Sequence, residues 1–178
     1  MKRYLTLWNV LGFTLLVLGL LVYLFTATGR RSEVINLPTQ ETVPREPTPA
    51  TLRLYFAKDD ASGFLIEKRK VTLAPGESVY QRALQEIVAG PRQGAAPIAP
   101  EGVPVPTVFV RGATAYVDLP EAYGELGLGT TGETLLIYGM AYTLIDQGPV
   151  EEVRFLYKGE PAVTLGHLSL LEPIRRPR

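Results

Sequence analysis

Residues 133–159 read ETLLIYGMAYTLIDQGPVEEVRFLYKG, and the reading of this stretch decides the fold. Thr134 to Ile145 carries no charge and predicts a helix of three turns, ~18 Å long at ~1.5 Å per residue. Asp146-Gln147-Gly148-Pro149 ends it, with a glycine and then a proline where a helix stops. Residues 150–157 are β-branched and aromatic and predict a strand, which Lys158-Gly159 closes with a tight turn.

The helix is apolar all round. Leu136, Met140, Thr143 and Leu144 fall on one side at ~100° per residue, and Leu135, Tyr138, Ala141, Tyr142 and Ile145 fall on the other. A helix apolar on both sides is buried on both, and this one is too short to span a bilayer. The second side therefore meets the rest of its own domain, a second copy, or a partner. Tyrosine suits a contact with one wet edge, so those five residues are the candidate interaction surface.

Upstream, residues 51–57 alternate as a half-buried strand, with Leu52, Leu54 and Phe56 on one face. Residues 58–63 are turn chemistry, and residues 64–73 predict a partner strand. Its basic run Lys68-Arg69-Lys70 is expected to be a solvated edge. Residues 78–89 predict an amphipathic helix, with Tyr80, Ala83, Leu84 and Ile87 on its apolar face and Arg82 paired to Glu86 one turn on. Ser78 and Gln81 have capping-box spacing, and Gly90-Pro91 is the stop.

A proline-rich loop, residues 92–106, leads to strands at 107–110 and 113–119, joined through Arg111-Gly112. Val108, Val110, Ala115 and Val117 would share the hairpin's inner face. A glycine-rich loop follows, and Thr130 with Glu133 again has capping-box spacing. A last short strand is expected at 162–165. The expected architecture is α+β: one compact domain of two helices on a mixed or antiparallel sheet, in the order ββα-ββα-ββ.

Residues 5–27 are nearly continuous Leu, Val, Phe and Gly and would span ~34 Å as a helix, enough for a hydrocarbon core of ~30 Å. Lys2 and Arg3 precede the run, and Trp8 and Tyr23 sit near its ends. It is longer than the apolar core of a cleaved signal peptide, so residues 1–29 are read as a short cytoplasmic end and an uncleaved transmembrane signal anchor. Residues 30–50, with Pro38, Pro44, Pro47 and Pro49, read as an extracytoplasmic stalk able to reach ~60 Å. Residues 51–176 form the folded domain.

The chain has 178 residues and a formal net charge of zero, from 18 basic and 18 acidic side chains. Four of the basic residues (Lys2, Arg3, Arg30, Arg31) flank the apolar run and no acid precedes Glu33, which leaves 14 basic against 18 acidic, a net of −4, for the remainder. No basic footprint for nucleic acid exists. Cysteine is absent, which excludes disulfides, thiolate chemistry and a lipid-modified cysteine.

Several landmarks now stand in order: Leu54-Tyr55-Phe56, Ala83-Leu84, Val88-Ala89-Gly90-Pro91, Pro100-Glu101-Gly102 and residues 112–119 (GATAYVDL). Tyr142-Thr143-Leu144, Val150 to Val153, Lys158-Gly159 and Pro173-Ile174-Arg175 complete them. This order resembles the sporulation and spore-germination domain called GerMN, over residues 51–176. The resemblance implies an α+β domain carried on extracytoplasmic envelope proteins, which in spore formers supports assembly of envelope machinery between mother cell and forespore. It supplies no catalytic residues.

The chemistry-bearing residues agree with a non-enzyme. His167 is the only histidine, and no nucleophile elbow or GxxxxGK[ST] phosphate loop accompanies it. The acidic pairs Asp59-Asp60, Glu151-Glu152 and Asp118 with Glu121 lack metal-site spacing. No catalytic, cofactor or metal residues are expected. The expected function is a membrane-anchored envelope interaction or assembly module with a protein or cell-wall partner, a second copy of the chain being a further candidate. The alternative is a small-molecule or glycan-binding domain whose cleft lies between loops 92–106 and 121–132.

Overall fold

The computed structural model describes residues 12–21, 23 and 46–177, which belong to two units, Met1–Thr39 and Gln40–Arg178. In the first unit residues 12–21 and 23 are helical (α1) and expose Phe13, Leu15, Leu16 and Leu18. Among the described residues no helix is long and apolar enough to cross a membrane. Both ends of the expected span 5–27, and the expected stalk up to residue 45, lie outside the described residues.

The second unit opens with an antiparallel hairpin of β1 (Thr48–Ala57) and β2 (Phe64–Leu73), in register from Thr48 opposite Leu73 to Ala57 opposite Phe64. β2 has the expected bounds. β1 starts three residues early, so that Thr48, Pro49 and Ala50, expected in the stalk, pair with Leu73, Thr72 and Val71. α2 (Val79–Val88) follows and buries Tyr80, Ala83, Leu84 and Ile87, the face its periodicity predicts. Gly90 has φ +89°, the left-handed geometry of a helix stop.

The expected capping box does not form. Ser78 is the N-cap but makes no side-chain cap bond. Gln81 reaches outward instead: its amide donates to Pro106 O at 3.0 Å and its carbonyl accepts from Val108 N at 3.0 Å. The glutamine thus ties α2 to the start of the next strand rather than to its own first turn.

β3 (Thr107–Arg111) and β4 (Thr114–Leu119) form the second hairpin. Arg111 pairs with Thr114, so the two-residue loop is Gly112-Ala113, one place beyond the expected Arg111-Gly112, with Gly112 at φ +61°. Val108, Ala115 and Val117 face the core. A 3-10 turn (Glu121–Glu125) leads into α3 (Gly129–Ile145), and β5 (Glu152–Tyr157) returns parallel to β4. Parallel neighbours require a crossover, and α3 is that crossover. Lys158 and Gly159 take φ +57° and +81°, the turn expected there. They join β5 to β6 (Glu160–Pro161), while β7 (Ile174–Arg175) pairs with the start of β5.

The domain therefore holds a two-stranded sheet and a mixed five-stranded sheet of order β3-β4-β5-β6 with β7 on β5. No strand runs over 162–165 as expected; a single bridge joins Thr164 to Ser169. The order is ββα-ββα-βββ, its last two strands of two residues each.

α3 begins at Gly129, five residues before its apolar run, so Thr130 lies inside the first turn and cannot cap it. The helix lies along the open edge of β1, where unpaired backbone groups would otherwise be stranded. Thr143 Oγ1 accepts from Tyr55 N at 3.0 Å, and one turn on Gln147 Nε2 donates to Arg53 O at 2.9 Å. Gly139 brings the helix backbone up to the Tyr55 carbonyl, which a Cβ there would meet at 3.1 Å. Beyond the helix, Ala96 exchanges two backbone hydrogen bonds with Ala57, at 3.0 and 2.8 Å. The edge of β1 is sealed by α3 and by the proline-rich loop together.

Candidate functional site

The five residues chosen for the second face of α3 divide. Ala141 is fully buried in the core cluster, so it is not part of an accessible surface. Leu135, Tyr138, Tyr142 and Ile145 are half-buried. Tyr142 stands at the centre of a ring cluster, with Tyr55 and Phe64 each 5.9 Å away and Tyr138 at 5.6 Å, all edge to face. Such geometry puts ring edges against ring faces, the favourable arrangement for aromatic quadrupoles.

A cation and a carboxylate complete the cluster. The Arg176 guanidinium lies 4.6 Å from the centre of the Tyr55 ring and 4.3 Å from that of Tyr142. Asp146, just past the end of α3, accepts from Tyr55 Oη at 2.6 Å, Arg53 Nε at 3.0 Å and Arg176 at 2.8 Å, and Arg176 also donates to Tyr55 Oη. Burial alone would raise the Asp146 carboxyl, but the hydrogen bonds from Tyr55 and Arg176 and the charges of Arg176 and Arg53 outweigh it and hold it below its ordinary value. Burial pushes the Tyr142 phenol up.

Tyr55, Phe64, Asp146 and Arg176 lie outside the five residues to which the helical spacing of α3 points. One signal was present: an aspartate at a helix C-terminus opposes the helix dipole and therefore needs a cation, which Arg53 and Arg176 supply.

A second polar cluster corrects the reading of the basic run. Lys68 and Lys70 are exposed, but Arg69 between them is only 3% exposed. Its guanidinium meets Glu67 at 2.6 Å and Glu86 at 2.7 Å and donates to Gly90 O at 3.1 Å. Arg82 pairs with Glu86 as its spacing predicts, though Glu86 is buried. The cluster binds β2 to α2 and to the loop after it.

Glu133 forms the third. It is 4% exposed, and its carboxylate accepts from His167 N at 2.8 Å, Leu168 N at 3.1 Å and Leu165 N at 3.3 Å. Burial pushes the carboxyl up, but the N–H groups of Leu168 and His167, the His167 ring and the N–H of Leu165 outweigh it, and the group lies below its ordinary value. The His167 ring is half-exposed, 3.3 Å from Glu133 at Nδ1. Glu133, His167, Tyr123, Gly127 and Leu128 line a pocket of about 70 Å³, room for little more than solvent.

The loops proposed to wall a cleft meet directly, since Tyr123 Oη donates to Pro104 O at 3.0 Å. Of the acidic pairs in the sequence, Asp60 accepts from Ser62 N, Asp118 from Gly159 N and Glu152 from Thr114 and Arg175. Among the described residues no group of three or more His, Asp or Glu is placed to hold a metal.

Two hairpins, each followed by a helix, with the second helix sealing the first hairpin, define an α+β domain whose polar clusters brace elements against one another. Residues 53–163 match the Germane family, described as sporulation and spore germination, and the chain belongs to that family. The tandem GerMN domains of the sporulation protein GerM from Bacillus subtilis superpose with a TM-score of 0.58 at 17% identity, over 72% of this chain and 47% of that one. The first GerMN domain of the same protein gives 0.53 at 17% identity, over 70% of this chain and 93% of that one. This chain thus spans about half of the tandem structure and most of the single domain. No curated protein sequence matches it.

Proposed function

We propose that this domain is a non-catalytic interaction and assembly module of the cell envelope, held outside the cytoplasm by a single N-terminal membrane anchor. The observation that carries the proposal is the half-buried row Leu135, Tyr138, Tyr142 and Ile145. The other sides of α3 are committed: Leu136, Met140 and Leu144 to the core, Gly139 and Thr143 to the edge of β1. The row itself packs inward on the core and leaves its outer edge wet, with two tyrosines in it, the composition that protein contacts favour. The apolar run at 5–27 supports the anchor, and the family's description as sporulation and spore germination supports a role in that process.

The test is co-purification of the full chain from membranes of its own cells, comparing the wild type with Tyr138→Ala. Tyr138 sits at the rim of the ring cluster, so its loss costs about 1 kcal/mol of folding stability, and a melting curve checks that the fold survives. The reading expects a partner, cell-wall fragment or second copy that leaves with the tyrosine. An identical set of partners on a folded variant would remove the surface.

A further inference from the structure

We infer that the box formed by Tyr55, Tyr142 and Asp146 is a recognition site for an arginine side chain presented by a partner, and that Arg176 of this chain is its resident competitor. The inference rests on the reading of the α3 tyrosine face as a contact surface and names what that face recognises.

Three features of the box select a guanidinium. Two rings flank the cation, with centres 4.6 and 4.3 Å from the Arg176 Cζ, which suits a flat, weakly hydrated ion that stacks. Asp146 Oδ1 accepts from Arg176 at 2.8 Å, and the Tyr55 hydroxyl takes a second bond. The carboxylate keeps its other partners when Arg176 leaves, because Arg53 Nε and Tyr55 Oη both remain on Oδ2, at 3.0 and 2.6 Å. Two of the three groups that hold the carboxylate therefore stay in place without Arg176.

The resident is held through its side chain rather than its backbone. Arg176 follows the last paired residue of β7, a strand of two residues, and its side chain is 36% exposed. Buried Ile174 fixes the segment to the core two residues earlier, so the guanidinium can swing out without breaking the sheet. Tyr138, on the next turn of the helix, extends the box along the half-buried face, where a peptide carrying the incoming arginine would lie.

The experiment uses the full chain in detergent micelles, labelled with ¹³C-tyrosine, and titrates it with N-acetyl-arginine methylamide while the ring resonances of Tyr55 and Tyr142 are followed. N-acetyl-citrulline methylamide, of the same shape without the charge, is the control. Arg176→Ala is expected to bind the arginine probe about tenfold more tightly than the wild type and to ignore citrulline; Arg176→Lys is expected to fall between. Equal binding by wild type and Arg176→Ala would overturn the competition. No shift of either ring in a folded Arg176→Ala chain, or equal shifts with citrulline, would overturn the site. Either failure leaves the co-purification through Tyr138 standing, because that result does not depend on which side chain the partner presents.

Discussion

Gly139 lies beneath Ile98 so closely that a Cβ on the glycine would stand 2.7 Å from Ile98 Cδ1. This contact explains why a glycine sits in the middle of a helix, where it ordinarily costs about 1 kcal/mol against alanine. Gly139→Ala is a contest between that helix gain and overpacking of about 1–3 kcal/mol. Ile98 can rotate aside, but the Tyr55 carbonyl at 3.1 Å is backbone and Phe64 at 3.2 Å is packed in the ring cluster. Overpacking is expected to win, lowering stability by about 1 kcal/mol net. A thermal melt at or above the wild-type midpoint would contradict the packing described.

Gly90 is a conformational case rather than a packing one. A Cβ there meets nothing within 4 Å, but its φ is +89°. Gly90→Ala is expected to cost about 1 kcal/mol through backbone strain alone, read from a denaturant midpoint that shifts with no change in slope.

The basic run on β2 divides by alternation. Arg69→Ala leaves the carboxylates of Glu67 and Glu86 facing an empty buried site and is expected to cost about 3 kcal/mol. Lys68→Ala and Lys70→Ala, on the wet side, are expected to change stability by less than about 0.5 kcal/mol. Chemical denaturation of the three variants checks the ordering, and equal effects would mean Arg69 is not buried.

Glu133, Glu86 and Asp146 all titrate below their ordinary values in the fold. Carboxyls of the unfolded chain take up protons near pH ~4, before the folded ones do. The stability they contribute is therefore present above that range and is lost as pH falls through it toward the lower folded values. Melting temperature is expected to be flat from neutral pH to about 5 and to drop below it. Glu133→Gln should cost about 1.5–3 kcal/mol at neutral pH, make the acid limb shallower, and speed hydrogen exchange at the His167 and Leu168 amides it releases.

What the sequence carried was periodic and local. The bounds of β2, the apolar face of α2 and the stop at Gly90 follow from alternation, helical spacing and one left-handed glycine. The burial of Arg69 was legible too, since it shares a face with Val71 and Leu73, but a run of three cations hid the alternation. Capping boxes misled because spacing does not say where a side chain's better partner lies. Gln81 found Pro106 and Val108, and Glu133 found the 165–168 backbone, all brought near by the fold. The second apolar face of α3 was legible in its helical spacing. Its division into edge seal, buried Ala141 and half-buried tyrosines was not, because β1, the proline-rich loop and Arg176 reach α3 from distant parts of the chain.

The tyrosine face of α3 is tested by a photo-crosslinking amino acid at Tyr138 of the full chain in growing cells, with the same group at Lys68, exposed on β2, as control. A discrete crosslinked product is expected from position 138, absent from position 68 and lost when Tyr142→Ala is added to a chain that still folds. Crosslinks that are the same from both positions, or none from position 138 in a folded and membrane-associated chain, would contradict the claim that the tyrosine face of α3 is the domain's contact surface.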